Sequence, residues 1–421
     1  MTPEAPVVRA SVVVASLGRP AELMRCLRAL QLQTHRDFEV VVVADEGALA
    51  EVRTAYPGTV KTVAFGEANI ATARNLGLSD CAAPVVAFID DDAIPEPTWL
   101  QRLTEPFGDG GVAAAGGFVR GWTGIRMSYA GKAVDALARE RPLDVAGDAP
   151  FLPDVPAGSA VITIGTNCAF RADDLRAIGG FDPAFAFHLD ETDVNLRLAR
   201  RGVRTAVVPG AEVIHCQAAG PRRSADRMPK SLFDIGRSSA VFLRRHAPGD
   251  AIGGALRDIR ERERRRLLWF MVTGRLLPSD VAPLLRSFDA GSRAGLEAGL
   301  PELAPVGSAA TPFLPFPSSG PLSGILIVGR YWRRRSLRAR AAQFAAQGLP
   351  CTLVLYLPGF LDRHCRWQDG GWWEETAGSL SSPLPRRWMP RTLMHLRAQD
   401  DRQRIARVRP IGTVIVAASG S

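Results

Sequence analysis

A chain of 421 residues, 46% hydrophobic and 23% charged, can bury the cores of about two or three globular domains, which excludes a disordered or collagen-like polymer. Its net charge of +9 favours anionic partners such as nucleotides, polyanions or lipid phosphates. The basic runs RERERRR and YWRRRSLRAR carry few aromatics and match no reading motif, so nucleic acid is not expected, and six scattered cysteines (Cys26, Cys81, Cys168, Cys216, Cys351, Cys365) form neither a disulfide framework nor a zinc site, which suits a reducing compartment.

The first residues, MTPEAPVVRASVVVAS, lack the basic start and longer apolar stretch of a secretory signal, so no export is expected. RASVVVAS reads as a strand. Leu23, Leu27 and Leu30 at helical spacing, with Pro20 suited to a first turn, predict a helix from Pro20 to Thr34. FEVVVVADEG is a second strand with an acid-bearing loop, TVKTVAF a third, NIATARNLGLSD a helix and APVVAFIDDD a fourth strand. This alternation predicts an α/β fold with a largely parallel sheet. Ligands of such sheets collect beyond the carboxyl ends of the strands, where Asp45 and Asp90 to Asp92 fall. GDGGVAAAGGFVRG is glycine-rich without the lysine ending of a P-loop and predicts turns around another strand.

Residues 120–156 are poorly patterned. After them VITIGTNCAF predicts one strand, RADDLRAIGGFD a short helix with Asp173 and Asp174 at its start, HLDETDVNLRLARRG a helix ending at Gly202, and TAVVPGAEVIHC short strands. Residues 223–300 read as helical and arginine-rich. Within them LLWFMVTGRLLPSDVAPLL is cut by Arg275 and Asp280, so it falls short of the roughly 20 apolar residues of a spanning helix; it can lie on a membrane surface but not cross one. PELAPVGSAATPFLPFPSSGPLSG predicts a linker. ILIVGRYW, a basic helix, PCTLVLYLPG and GTVIVAAS predict a second, small α/β module. The expected organisation is a nucleotide-binding domain over 1–222, a helical extension over 223–300, a linker over 301–322 and a module over 323–421.

Like charges cluster in FIDDDAIP and so need open water or a cation. Asp90 and Asp92, two apart at a strand end, project to one side of extended backbone and can ligate Mg²⁺ or Mn²⁺. A D-x-D also ends strands in solvated turns, so the pair alone leaves both readings open. Trp99 reads as packing beneath this loop. In DETD, Asp190 and Asp193 fit helix capping, which leaves Glu191 unexplained. His215 fits a satisfied strand-end histidine as well as a ligand.

The series ASLGRPAELMRCLRALQLQTHRDFEVVVVADEG, ANIATARNLGLSDCAAPVVAFIDDDAIP, GTNCAFRADDLRAIGGFD and DETDVNLRLARRG resembles family-2 glycosyltransferases of the GT-A fold, in order and spacing, over roughly residues 9–217. The resemblance implies a nucleotide-diphospho-sugar transferase fold in which Asp45 contacts the nucleobase, Arg74 and Asn75 lie on the nucleotide side, and Asp90 and Asp92 meet the donor diphosphate through Mn²⁺ or Mg²⁺. Under the same resemblance Asp91 contacts the donor sugar or orients the loop, and His215 joins the metal or diphosphate. The family's E-D-x-D pattern falls on Asp190, Glu191, Thr192 and Asp193, implying Glu191 as base, Asp190 beside it and Asp193 on the acceptor side.

Two departures are visible: Ala44 replaces the first of two acids after the second strand, and the E-D order is inverted, so the base is a glutamate. The implied reaction moves a sugar from a nucleotide-diphosphate donor to a glycan or glycolipid hydroxyl with inversion, in cell-surface polysaccharide or glycolipid synthesis. The implied location is the cytoplasm, with the basic helices compatible with peripheral attachment at the inner face of the membrane. A nucleotidyltransferase is the alternative enzyme, although ASLGRPAE offers only Gly18 and Arg19 of the glycine-rich basic loop that chemistry uses. A non-catalytic nucleotide-binding scaffold is the other alternative, and Ala44 points to it.

Overall fold

The valine-rich runs form the middle of one sheet in the computed structural model, which describes residues 8–216, 224, 228–308, 311–319, 322–378 and 391–417. β1 (Ala10–Ser16) is followed by α1 (Pro20–Leu30), β2 (Phe38–Ala44) by α2 (Glu46–Ala55), and β3 (Lys61–Ala64) by α3 (Ile70–Asp80). β4 (Val85–Asp90) leads to the short β5 (Ala93–Pro95) and α4 (Trp99–Thr104). Next come β6 (Val112–Arg120), β7 (Met127–Tyr129), β8 (Lys132–Val134), β9 (Glu140–Pro142), β10 (Ala160–Ile162), β11 (Cys168–Arg171), α5 (Ala172–Ala177), α6 (Asp190–Arg200) and β12 (Arg204–His215).

Nine strands join in the order β3-β2-β1-β4-β11-β6-β12-β5, with β7 on β6. The first four are mutually parallel, and so are β6 and β12, whereas β11 runs antiparallel between β4 and β6. This is the mainly parallel α/β sheet expected. Helices cover both faces, so the central strands are buried on each side and their sequences are continuous apolar runs instead of alternating ones. Helix α3 lies close on β1 because Gly77 has no Cβ; one there would overlap Val13 Cγ1.

Three expectations need correction. VITIGTNCAF is two strands, β10 and β11, separated by a turn whose Asn167 is fully buried. Its amide oxygen accepts the Trp99 Nε1–H at 2.8 Å, and its amide nitrogen donates to the carbonyls of Phe118 (2.9 Å) and Ala211 (2.8 Å). The turn is therefore held by side-chain bonds that no periodicity reveals. TAVVPGAEVIHC, expected as short strands, is the single strand β12, irregular between Val208 and Glu212. Residues 120–156, which seemed unpatterned, hold β8 and β9, which join β10 in a three-stranded sheet.

The stretch expected as a linker, residues 301–322, makes tertiary contacts of its own. Its described residues strap the first domain. Val306 N–H donates to Arg176 O at 3.0 Å, Leu314 N–H to Glu39 Oε2 at 2.9 Å, Phe316 N–H to Phe38 O at 2.8 Å and Ser319 N–H to Gln31 O at 2.8 Å. Phe316 is buried, its ring 5.5 Å from Phe38 and 5.6 Å from Tyr56. Proline, glycine and serine composition reports weak helix and strand propensity, not an absence of tertiary contacts.

Before the strap, α7 (Phe233–His246), α8 (Ile252–Val272) and α9 (Pro278–Glu297) form the helical extension; the expected boundary at 222 lies outside the described residues. After it, β13 (Gly324–Arg330), α10 (Arg334–Ala346), β14 (Cys351–Leu357), β15 (His364–Gln368), β16 (Trp372–Gly378), α11 (Arg391–Ala406) and β17 (Ile411–Val416) make a five-stranded module ordered β15-β16-β14-β13-β17. The module grips the loop after β5. Arg409 Nε and Nη2 donate to the two carboxylate oxygens of Glu96 at 2.6 and 2.7 Å, with both side chains buried, and Thr98 N–H donates to Val408 O at 3.2 Å. Trp373 and Cys365 of the module share an apolar cluster with Ile94 and Ile214.

Phe316→Ala would remove the strap's buried ring, and the expected loss is about 3 kcal/mol of stability, typical of deleting a buried phenylalanine. Urea unfolding of the two proteins measures it; an unchanged midpoint would show that the strap carries no packing energy.

Candidate active site

Beyond the carboxyl ends of β1 and β4 lies a cleft of about 310 Å³, a size that accommodates a small ligand. Ser16, Arg19, Arg74, Asp90, Thr166 and Glu191 are among the side chains that line it. Two strand ends, the first turn of α3 and the start of α6 thus meet at one place.

Arg74 is the centre of the charge arrangement. It is buried on α3, donates from Nη1 to Asp190 Oδ2, lies 3.3 Å from Asp90 Oδ1 through Nη2, and comes within 4.0 Å of Glu191 Oε2. Gly165 makes the room, since a Cβ there would collide with the guanidinium. Burial opposes the charge on Arg74, but Asp190 and then Asp90 outweigh it and raise its pKa above the ordinary value. Asp90 Oδ2 also accepts the Thr166 hydroxyl at 2.5 Å.

Glu191 lies on the cleft wall at the start of α6. His188 and Leu189, both with positive φ (72° and 66°), turn the chain so that Asp190 and Glu191 fall in the helix's first turn. Asp190 is not a side-chain cap, because its carboxylate is engaged by Arg74. Burial first, then the charge of Asp190 and a hydrogen bond with it, raise the pKa of Glu191 well above the usual carboxylate range, against the pull of Arg74.

Asp90, Asp92 and His215 each bring a ligand atom within 4.8 Å of the others. The pairing of His215 with Ala93 across β12 and β5 places the imidazole against the acid loop, and its Nε2 lies 3.1 Å from Asp92 Oδ1. Two carboxylates and an imidazole fit a divalent cation, and the nitrogen favours Mn²⁺ over the more strictly oxygen-seeking Mg²⁺. Asp91 turns away from this group. It is fully buried, accepts the Ser16 hydroxyl at 2.7 Å, pairs with Arg19 at 2.6 Å, and burial pushes its carboxyl up to about 7 although Arg19 opposes the shift. Arg19 also reaches Asp92 at 3.2 Å, so it ties the whole acid loop to the end of β1.

Three expected site residues are placed elsewhere. Asn75 clamps a loop: its Nδ2 donates to Phe181 O at 2.7 Å and its Oδ1 accepts Phe181 N–H at 2.8 Å, so both ends of its amide bond to backbone. Asp193 is buried between Arg197 (2.6 Å) and His246 Nε2 (2.9 Å) and joins α6 to α7. Asp45 caps α2, accepting Ala48 N–H at 3.2 Å and Gly18 N–H at 2.7 Å, and the Gly18 bond chiefly lowers its pKa. It holds the loop whose Leu17 and Arg19 line the cleft but does not line the cleft itself. Trp99 does pack beneath the acid loop, fully buried. Sequence reasoning missed Arg19, Thr166 and His188 as cleft residues; the signals were their positions beside Gly18, Gly165 and the DETD acids.

Comparison with known proteins gives the family. The model described as "Glycosyltransferase like family 2" matches residues 6–230. A pre-mycofactocin glycosyltransferase of Mycobacterium tuberculosis is 31% identical over 195 residues, 44% of this chain and 38% of that protein. The succinoglycan biosynthesis protein ExoM of Rhizobium meliloti is 33% identical over 115 residues, 25% of this chain and 37% of that protein. The chain therefore spans well under half the length of these curated relatives. Among solved structures, GalNAc-T7 with UDP, GalNAc and Mn²⁺ aligns with a TM-score of 0.44 and 18% identity over 56% of this chain and 48% of that one. The mannosyltransferase PcManGT of Pyrobaculum calidifontis with GDP-Man and Mn²⁺ aligns with a TM-score of 0.40 and 14% identity over 69% and 87%.

Burial opposes the charge on Asp193, but His246 and Arg197 prevail and lower its pKa, so its contribution to stability is present above the unfolded carboxylate value and is lost as pH falls through the folded one. Asp193→Asn is expected to cost about 3 kcal/mol at neutral pH, because Arg197 loses its buried counter-charge and His246 its carboxylate partner, and the deficit should close in acid. Chemical unfolding at neutral and acidic pH measures both; a deficit independent of pH would refute the ion-pair origin.

Proposed function

The chain belongs to the glycosyltransferase like family 2 over residues 6–230, and from that membership we propose that it transfers a sugar from a nucleotide-diphosphate donor to an acceptor hydroxyl with inversion. One observation carries the reading: Glu191, its pKa raised, lines the same cleft as Asp90, the member of the Asp90, Asp92 and His215 group that reaches it, with Arg74 in contact with both. A base and a cation site on one cleft are what displacement of a diphosphate by a hydroxyl requires.

Asp90, Asp92 and His215 would hold Mn²⁺ or Mg²⁺, which supplies positive charge to the departing diphosphate. Glu191 Oε takes the proton of the acceptor hydroxyl as its oxygen attacks the anomeric carbon. Asp190 serves as a positioning residue: its carboxylate holds Arg74, and its charge keeps Glu191 basic. Arg74 and Arg19 place two cations on the cleft wall, where the donor's phosphates are to sit. Asp45 and Asp91 support the donor side by ordering the loops after β1 and β4.

The acceptor we infer is a glycan or glycolipid, and the setting is cell-surface polysaccharide or glycolipid assembly on the cytoplasmic side of a membrane. This is supported by the names of the relatives that match, a succinoglycan biosynthesis protein among them. No described helix is long and apolar enough to cross a membrane.

Asp92→Asn should abolish Mn²⁺-dependent hydrolysis of sugar nucleotides, whereas Glu191→Gln should keep donor affinity by calorimetry and lower transfer by about a thousandfold, within the range a general base contributes. Full transfer by Glu191→Gln would remove the assigned base. Since Glu191 must be ionised to accept a proton and its pKa is raised, the acidic limb of kcat against pH should lie above the ordinary glutamate value of about 4.3. A limb at or below that value contradicts the burial of the base.

A further inference from the structure

Residues 264–279, RRRLLWFMVTGRLLPS, contain four arginines and no carboxylate. They form the tip of the α8–α9 hairpin, where α8 ends at Val272 and α9 begins at Pro278. Trp269, Val272 and Leu277 project from this tip with 58%, 79% and 66% of their surface exposed. Core packing does not account for them, because the core side of the hairpin is already filled by Leu267, Leu284, Leu285 and Phe288.

The cations are arranged around the same apolar surface. The guanidinium groups of Arg275 and Arg266 lie 5.1 and 6.0 Å from the centre of the Phe270 ring. Arg264, Arg265 and Arg266 pair with Glu261 and Glu263 one turn back, in exposed contacts with which a phosphate can compete. The nearest acid beyond the tip, Asp280, caps α9 by accepting Leu277 N–H at 2.8 Å. We propose that this hairpin tip docks on an anionic lipid surface. The indole and aliphatic groups enter the boundary between headgroups and acyl chains, while the arginines meet lipid phosphates. A second copy of the chain fits the tip poorly, because a twofold contact would set the same arginine-rich tips, which carry no carboxylate over residues 264–279, against each other.

The tip lies near the cleft. Leu267 shares a core cluster with Leu189, the residue before Asp190, and the charges of Glu263 and Arg266 act on His188, which lines the cleft. From Arg266 to Val272 is about 9 Å along α8 at 1.5 Å per residue. Docking would hold the cleft beside the lipid surface, so the acceptor class is an amphiphile whose hydroxyl emerges at the headgroups. That last step rests on the sugar-transfer reading, whereas the docking surface does not.

The test is co-sedimentation of the full chain, without donor or metal, with phosphatidylcholine vesicles that contain or lack phosphatidylglycerol. Binding to the anionic vesicles, weakened by salt and reduced roughly tenfold or more in the triple variant Trp269→Ser, Val272→Ser, Leu277→Ser, is expected. Calorimetric affinity for a sugar nucleotide with Mn²⁺ should be equal in both proteins, which shows that the variant folds. Absence of binding by the natural chain, or equal binding by the variant, overturns the proposal. So does dimerisation in sedimentation velocity that the triple substitution abolishes while vesicles remain unbound. Because vesicle binding is scored without substrate, its failure leaves the sugar-transfer reading standing, and failure of transfer leaves the docking result standing.

Discussion

Arg74 is the interaction on which the site depends. A buried guanidinium is stable only if carboxylates surround it, and here Asp190 from α6 and Asp90 from β4 supply that charge from two distant parts of the chain. Satisfying Arg74 therefore draws the end of a central strand and the start of a helix to one point. Gly77 and Gly165 permit it, one by letting α3 approach the sheet and the other by leaving space for the guanidinium. The geometry of Glu191 follows, since it is the next residue after Asp190 on the same turn.

A second buried ion pair does related work for the module at the other end of the chain. Arg409 and Glu96 fix the loop that follows β5, and β5 is the strand whose pairing with β12 sets His215 against Asp92. The module thereby braces the edge that carries Asp92 and His215. Arg409 also lies near Glu375, which Arg363 and Arg404 neutralise. The helical extension performs a similar task for the other edge, because His246 holds Asp193 and so fixes α6.

Much of the first domain was legible from residues 10 to 90, because strands buried on both faces must be apolar throughout and helices between them must keep one apolar stripe. The acids at strand ends were legible for the same reason: charge has no other place in such a core. The partners of Asn75 and Asp193 were not legible, because a sequence records donors and acceptors but not what they meet. Asn75 met the backbone of Phe181, and Asp193 met a histidine 53 positions later. The bonds of residues 314–319 were not legible either, because they run to Glu39, Phe38 and Gln31, 275 to 288 positions earlier.

The sequence by itself determined the order of strands and helices over residues 10–90, the α/β class and the concentration of acids at the strand ends, since these follow from local periodicity and from the cost of burying charge. Tertiary structure alone decided which of those acids share a cleft. Asp90, Asp190 and Glu191 converge there, Asp92 lies beside them against Arg19 and His215, and Asp91, Asp193 and Asp45 are taken up by Arg19, by His246 and Arg197, and by the start of α2. The physical reason is competition: each carboxylate goes to the nearest buried cation or backbone donor, and which one is nearest is set by packing between segments far apart in the chain.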